Sequence, residues 1–70
     1  MFNERLFRSK VVLKGITLSQ LAVLMGINEV TLHNKIKRGT FYREEIWTIK
    51  HVLDLNDDDI IAIFFAQILE

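Results

Sequence analysis

The sequence has no cysteine and no proline, and only three glycines, at positions 15, 26 and 39. The absence of cysteine excludes disulfide frameworks, thiolate zinc sites and cysteine nucleophiles. So little glycine and proline favours a small all-helical protein. The longest nearly apolar run, 60–69, is about half the length of a membrane span, so we expect no membrane segment. The first fifteen residues have no apolar stretch before their charges, which predicts no signal peptide and a cytoplasmic protein.

The length of 70 residues indicates a single domain, 1–70, with no room for a second. Half of the residues are apolar, which is enough for a hydrophobic core and excludes a disordered tail. A chain this short buries only about 60% of its unfolded surface, so its stability is expected to be modest. The terminal pair Leu69-Glu70 is also compatible with a scar of the expression vector.

The formal net charge is zero, but the two signs are segregated along the chain. Residues 1–43 contain eight basic and two acidic residues, a net charge of +6, and residues 44–70 contain one basic and seven acidic residues, a net charge of −6. Binding to an anion depends on the potential at one face rather than on the total charge. The basic half therefore predicts an anionic partner such as nucleic acid, and chance clustering of solvated charges is the alternative.

Glycines and capping residues divide the chain into predicted helices. Four helices are predicted at 3–14, 18–25, 28–38 and about 43–53, and a fifth follows an Asn56 cap. Thr17 and Gln20 match a capping box, and Asn28 is a typical N-cap. The apolar pattern predicts the following inward-facing residues: Leu6, Phe7, Val11, Leu13, Leu21, Ala22, Leu24, Met25, Leu32, Ile36, Ile46, Trp47, Ile49, Val52 and Leu53.

The side chains that usually carry catalysis or bind metals do not form a convincing pattern. The acidic run 57–59 is explained by the first turn of a helix, where the helix dipole favours negative charge. Its spacing does not match a calcium loop, and we do not expect His33 and His51 to form a metal pair. There is no Ser-His-Asp set and no phosphate-binding glycine loop. We therefore expect no enzyme activity, metal, cofactor or small-molecule substrate.

The stretch 17–39, TLSQLAVLMGINEVTLHNKIKRG, contains two short helices joined by a tight turn with a glycine, which is typical of a helix-turn-helix. It resembles the phage Cro/repressor-type (XRE-like) helix-turn-helix family. The positions that carry this resemblance are Thr17, Leu21-Ala22, Gly26, Ile27, Asn28 and Leu32. The rest of the chain is similar to short single-domain phage regulators of Gram-positive bacteria, because Ile36-Lys37-Arg38-Gly39 ends the third helix and an acidic-capped helix ends in paired phenylalanines.

Three positions depart from the family pattern. Lys35 stands where many relatives have an apolar residue, with Ile36 next to it. Tyr42, or Thr40 two residues earlier, stands where relatives often have a better cap. Glu29 lies at the exposed start of the third helix, where a carboxylate is unfavourable near phosphates but is able to accept from cytosine N4.

The resemblance implies an all-α, lambda-repressor-like bundle of about five short helices, in which 17–39 forms the helix-turn-helix. The second helix would lie across the DNA backbone, and helix 28–38 would enter the major groove. The implied contacts to base edges are Asn28, Glu29, Val30, His33 and Asn34. The implied contacts to phosphates are Thr17, Ser19, Thr31, Lys35, Lys37, Arg38 and Arg43.

The C-terminal segment is apolar nearly all round, so it is either enclosed by the domain or covered by a partner. Repressors of this type commonly act as dimers on two half-sites. We therefore expect 56–69 to contribute to a homodimer, with the interface candidates Phe64, Phe65, Ile68 and Leu69. The alternatives are that the segment closes the core of the domain, or that an extended tail pairs as an edge strand.

These features together predict a sequence-specific, double-stranded DNA-binding transcriptional regulator, similar to a Cro-type phage repressor. The alternative is a helical protein-interaction module, such as an antitoxin-like or adaptor domain, that has the same fold but does not bind DNA. The neutral total charge and the acidic half of the chain favour this alternative.

Overall fold

The computed structural model describes residues 2–65, which form five α-helices and no strand. The helices are α1 (Glu4–Lys14), α2 (Leu18–Met25), α3 (Glu29–Arg38), α4 (Arg43–Val52) and α5 (Asp57–Phe64). The all-α prediction with five short helices is therefore confirmed. Within the described range, no helix has the length and the apolar character that a membrane crossing requires.

The observed helix boundaries differ from the predicted ones by a residue at several ends. Asn3 is an N-cap rather than the first helical residue, and α4 ends at Val52, whereas Asn28 is the N-cap of α3 as predicted. Helix α5 ends at Phe64. The remainder of the predicted dimerisation helix, including the candidates Ile68 and Leu69, lies outside the described residues.

The helix starts follow from local hydrogen bonds, as the sequence indicates. The Asn3 side-chain oxygen accepts from the Leu6 amide at 3.0 Å. At α5, the Asn56 side-chain oxygen accepts from the Asp59 amide at 2.7 Å, and the Asn56 amide donates to the Asp59 carboxylate at 3.2 Å. These bonds pair amides that the helix itself leaves without partners, so the cap residues fix where each helix begins.

The core is formed by one or two inward residues from each helix, together with Leu53 and Leu55 from the segment between α4 and α5. Helix α2 packs against α3 and α4, and α1 packs against α5. The buried residues are Phe7, Val11, Leu21, Ala22, Leu32, Ile36, Ile49, Leu53, Leu55 and Ile63. The predictions for Leu13, Leu24 and Trp47 are wrong, because all three are exposed. Successive helical residues are about 100° apart, so these apolar residues fall outside the arc that faces the core.

Aromatic side chains connect the N-terminal segment to helix α5. The Phe2 ring lies 5.4 Å from the Phe7 ring, 5.2 Å from the Phe41 ring and 5.5 Å from the Phe64 ring, measured between centroids. The Asn3 amide donates to the Ile63 carbonyl at 2.6 Å, which holds the N-terminal segment against α5. Phe64 therefore packs within the domain, and its role as a dimer contact stays a prediction.

Candidate nucleic-acid interface

Helices α2 and α3 are joined by the three-residue turn Gly26-Ile27-Asn28. The Gly26 amide donates to the Val23 carbonyl and the Ile27 amide to the Ala22 carbonyl, both at 3.1 Å. Gly26 has a φ of +75°, in the left-handed region where a side chain is unfavourable. Ile27 packs against the core, and Asn28 caps α3 by accepting from the Thr31 amide at 2.8 Å. These local contacts fix how the chain enters α3.

Helix α3 buries one narrow face and exposes the other. Leu32 and Ile36 are buried one turn apart. The opposite face is centred on Val30 and Asn34, and the Val30 side chain is 69% exposed although it is apolar. The structure therefore places these two predicted base contacts at the middle of the surface that α3 presents to solvent.

The predicted base contacts Glu29 and His33 lie together on one flank of this face. The Glu29 Oε2 atom lies 3.3 Å from the His33 Nε2 atom, and both side chains are about half exposed. This contact gives the Glu29 carboxylate a partner on its own helix. Asn28 is exposed, but its side-chain oxygen is occupied by the cap, which leaves its amide nitrogen as a donor for other partners.

The start of α2 is exposed and has donors that its helix does not use. The Thr17 amide donates to the Gln20 side-chain oxygen at 2.9 Å, and the Thr17 hydroxyl accepts from the Gln20 amide at 3.1 Å. The capping box predicted from the sequence is therefore confirmed. The amides of Leu18 and Ser19, which no carbonyl of the helix pairs, remain at the positive end of the helix dipole.

The cations of α3 that are predicted to hold phosphates fall into two groups. Lys37 and Arg38 are exposed in the last turn of α3 and have no acidic partner within residues 2–65. The Lys35 ammonium instead pairs with the Glu45 carboxylate at 3.1 Å and lies 4.5 Å from the Tyr42 ring centroid.

The prediction that Lys35 faces outward is therefore corrected. The side chains of Lys35 and Glu45 are only 17% and 16% exposed. Glu45 also accepts from the Tyr42 amide at 2.8 Å, which assists the start of α4 in place of a cap side chain. The departure from the family pattern at Lys35 thus corresponds to an ion pair that ties α3 to α4. Thr31 is half-buried on the same flank and is also less accessible than predicted.

Folding brings part of the acidic half of the chain onto the basic half. Lys10 lies 3.3 Å from Asp59, and Lys14 hydrogen-bonds to Asp54. The Lys14 contact lowers the pKa of Asp54. The Asn56 backbone amide, and to a smaller extent Lys10, lower the pKa of Asp59. Together with the Lys35 pair, these contacts offset three of the eight cations in residues 1–43.

A groove between α4 and α5 is a surface that the sequence did not reveal. Its volume is about 440 Å³. It is lined by Phe41, Arg43, Ile46, Trp47, Lys50, Asp57, Ile60 and Phe65. The predicted phosphate contact Arg43 lies in this lining. Trp47 was expected inside, but it is exposed and lies on the opposite side of α4 from the buried Ile49, about 160° away.

Comparison of the chain with protein-family models, with curated proteins and with solved structures found no significant match.

Proposed function

We propose that this protein is a sequence-specific transcriptional regulator that binds double-stranded DNA, with α2 and α3 as its helix-turn-helix and α3 in the major groove. The resemblance of the stretch 17–39 to Cro/repressor-type proteins also supports this proposal. The proposal rests on one observation: a turn of three residues joins the capped α2 to α3, and the outer face of α3 is free. A helix held in this way fits the width of the major groove.

The polar groups on the outer face of α3 match the edges of bases. The side-chain amide of Asn34 is suited to a bidentate contact with adenine, and the apolar Val30 to the methyl group of thymine. Lys37 and Arg38 continue the same surface with positive charge, and the free amides at the start of α2 suit a phosphate oxygen. One recognition helix reads only a few base pairs, so a longer operator requires two copies of the protein.

The first experiment is an NMR amide titration with an arbitrary duplex of about 20 base pairs, at low and high salt. Non-specific binding of about 10⁻⁴ to 10⁻⁶ M is expected even without the operator, because phosphates dominate this affinity. Shifts should concentrate at 17–19 and 28–38 and vanish at high salt. Absence of shifts at low salt would contradict the proposal.

A matched pair of lysine variants tests which surface meets the phosphates. Lys37→Ala should weaken binding to all sequences and should reduce the slope of log affinity against log salt by about 1, because one phosphate contact is lost. Lys10→Ala is the control, since this cation is already paired with Asp59. Equal effects of the two variants would show that the contact surface is not the end of α3.

Sequence specificity needs a separate measurement. Selection from a random duplex library should yield an operator, and Asn34→Ala should cost about 1–3 kcal/mol of discrimination against other bases at one position. The salt dependence should stay unchanged in this variant, because Asn34 is assigned to a base and not to a phosphate. If the library yields no preferred sequence, the proposed sequence specificity is wrong and only non-specific DNA binding is left.

The protein-interaction module remains the second candidate. It is favoured by the apolar groove between α4 and α5 and by the pairing of Lys10, Lys14 and Lys35 with acidic residues. The titration distinguishes the two candidates, because a module that does not use α3 for DNA shows no salt-dependent shifts there.

A further inference from the structure

Lys35 connects three parts of the chain at the end of α3. Its ammonium lies 3.1 Å from the Glu45 carboxylate on α4. Its backbone carbonyl accepts from the Gly39 amide at 2.7 Å and from the Thr40 amide at 3.2 Å, at the beginning of the loop between α3 and α4. One residue therefore contacts the last turn of α3, the loop and α4 at the same time.

Glu45 makes the complementary contacts on the side of α4. Its Oε2 atom pairs with Lys35, and its Oε1 atom accepts from the Tyr42 amide at 2.8 Å. The Tyr42 ring in turn lies 4.5 Å from the Lys35 ammonium. Because the Lys35 and Glu45 side chains are only 17% and 16% exposed, they have little access to other partners. These contacts fix the start of α4 relative to the end of α3.

The position of the last turn of α3 depends on this pair. Helix α3 packs mainly against α2, and within residues 2–65 the Lys35–Glu45 contact is the only ion pair that α3 makes with another helix. The same turn carries Lys37 and Arg38, the cations assigned to phosphates. A movement of this turn away from α4 separates the pair and displaces both cations.

The burial of the pair favours a role in orientation over a role in stability. Two charges that leave water lose hydration, and their mutual attraction does little more than balance this cost. Separation of the pair is strongly unfavourable, because it leaves a charge without a partner at a poorly hydrated site. The pair therefore disfavours every orientation of α3 in which Lys35 and Glu45 lie apart.

We propose that Lys35 and Glu45 are positioning residues that hold the last turn of α3 in the orientation that reads DNA, and that Lys35 itself binds no phosphate. The inference rests on the proposed function. It gives Glu45 a sign opposite to that of simple electrostatics. An acidic side chain near a DNA-binding helix repels phosphates, so its neutralisation alone would favour binding. As a positioning residue, Glu45 is instead required for the preference for the operator.

The first measurement uses Lys35→Met and Glu45→Gln without DNA. Methionine has an unbranched side chain of similar length to lysine, and glutamine keeps an oxygen that accepts from the Tyr42 amide. Each variant should raise the hydrogen-exchange rates of the amides at 37–40 by about twofold or more, because both remove the same link to α4. Unchanged rates in both variants would overturn the proposal, whatever the protein does with DNA.

The second measurement is the ratio of the affinities for the selected operator and for the arbitrary duplex. Lys35→Met and Glu45→Gln should each lower this ratio by about 2- to 30-fold. The double variant should lose no more than either single variant, because both act on one pair. Lys35→Arg keeps the cation and should keep the ratio.

Lys10→Met is the matched control. It breaks an ion pair of comparable burial, between Lys10 on α1 and Asp59 on α5, that does not involve α3. The operator ratio and the exchange rates at 37–40 should therefore stay at their wild-type values. This control separates the orientation of α3 from a general loss of stability.

Two results refute the positioning role alone, provided that the wild type prefers its operator. The first is a decrease of about 1 in the salt slope of Lys35→Met, as expected for Lys37→Ala, because it shows that Lys35 binds a phosphate. The second is an operator ratio that stays equal or rises in Glu45→Gln. A wild type without salt-dependent binding or without a preferred sequence refutes the proposed function itself, and the positioning role falls with it.

Discussion

Replacing Gly39 by alanine is expected to destabilise the domain more than replacing Gly26. Both glycines follow a helix and have positive φ, +69° at Gly39 and +75° at Gly26. Their surroundings differ. A Cβ atom at Gly26 meets no heavy atom of residues 2–65 within 4 Å, whereas a Cβ atom at Gly39 would lie 2.8 Å from the Phe2 Cβ atom. Comparison of Gly26→Ala with Gly39→Ala therefore separates the cost of backbone strain from the cost of a steric clash.

The expected magnitudes follow from these two terms. A side chain in the left-handed region costs about 1–2 kcal/mol, which is the whole cost expected for Gly26→Ala. Gly39→Ala pays the same strain and an overpacking cost of about 1–3 kcal/mol, for a total of about 2–5 kcal/mol. Phe2 has little freedom to move away, because its ring packs against three other phenylalanines and the next residue, Asn3, is hydrogen-bonded to α5.

Thermal unfolding followed by circular dichroism measures both variants. In a domain of this size each kcal/mol lowers Tm by roughly 4–8 °C, so the two variants should be clearly separated. Equal decreases in Tm would show that Phe2 moves aside without a cost in free energy. This result would refute the anchoring of the N-terminal segment. A Gly26→Ala variant as stable as the wild type would refute the left-handed turn between α2 and α3.

Two further predictions concern the core and the acidic groups. Leu32→Ala should cost about 2–5 kcal/mol of stability, because Leu32 is fully buried. Leu13→Ala should change the stability by less than about 0.5 kcal/mol, because Leu13 is exposed. Urea unfolding measures both variants, and similar losses would contradict the assignment of Leu32 to the buried face and Leu13 to the exposed face. The pKa of Asp59 is lowered from 3.8, so the stability gained from its ionised form is complete above pH 3.8 and is lost as the pH falls through the lowered value. The difference in unfolding midpoint between wild type and Asp59→Asn should therefore shrink on acidification to this range, and a difference that grows at low pH would refute the sign.

The positions of the helices were largely predictable because the signals that begin and end a helix are local. Thr17 and Gln20 cap α2 with bonds that span three residues, and Gly26 ends it with bonds to the preceding turn. Such contacts depend on neighbours in sequence, and they form in the same way whatever packs around them. The same holds for Leu32 and Ile36, which are the only two apolar residues on one side of α3.

The candidate site was predictable where it depends on α3 alone, and less so where another helix contributes. The exposure of Val30 and Asn34 follows from the position of the two buried residues on the same helix. Lys35 was predicted to face a phosphate, but Glu45 on α4 pairs with it and buries much of it. No spacing rule within α3 contains this information, because the partner lies ten residues away on a different helix.

The sequence by itself determined five short helices, their caps, the turn at Gly26 and the outer face of α3. Only the tertiary structure decided that Trp47 borders an exposed groove and that acidic residues of the second half neutralise Lys10, Lys14 and Lys35. It also decided that Phe2 and Phe64 close one aromatic cluster. The physical reason is range: hydrogen bonds within a helical turn are fixed by residues a few positions apart, whereas burial and ion pairing between helices depend on which faces meet once the chain has folded.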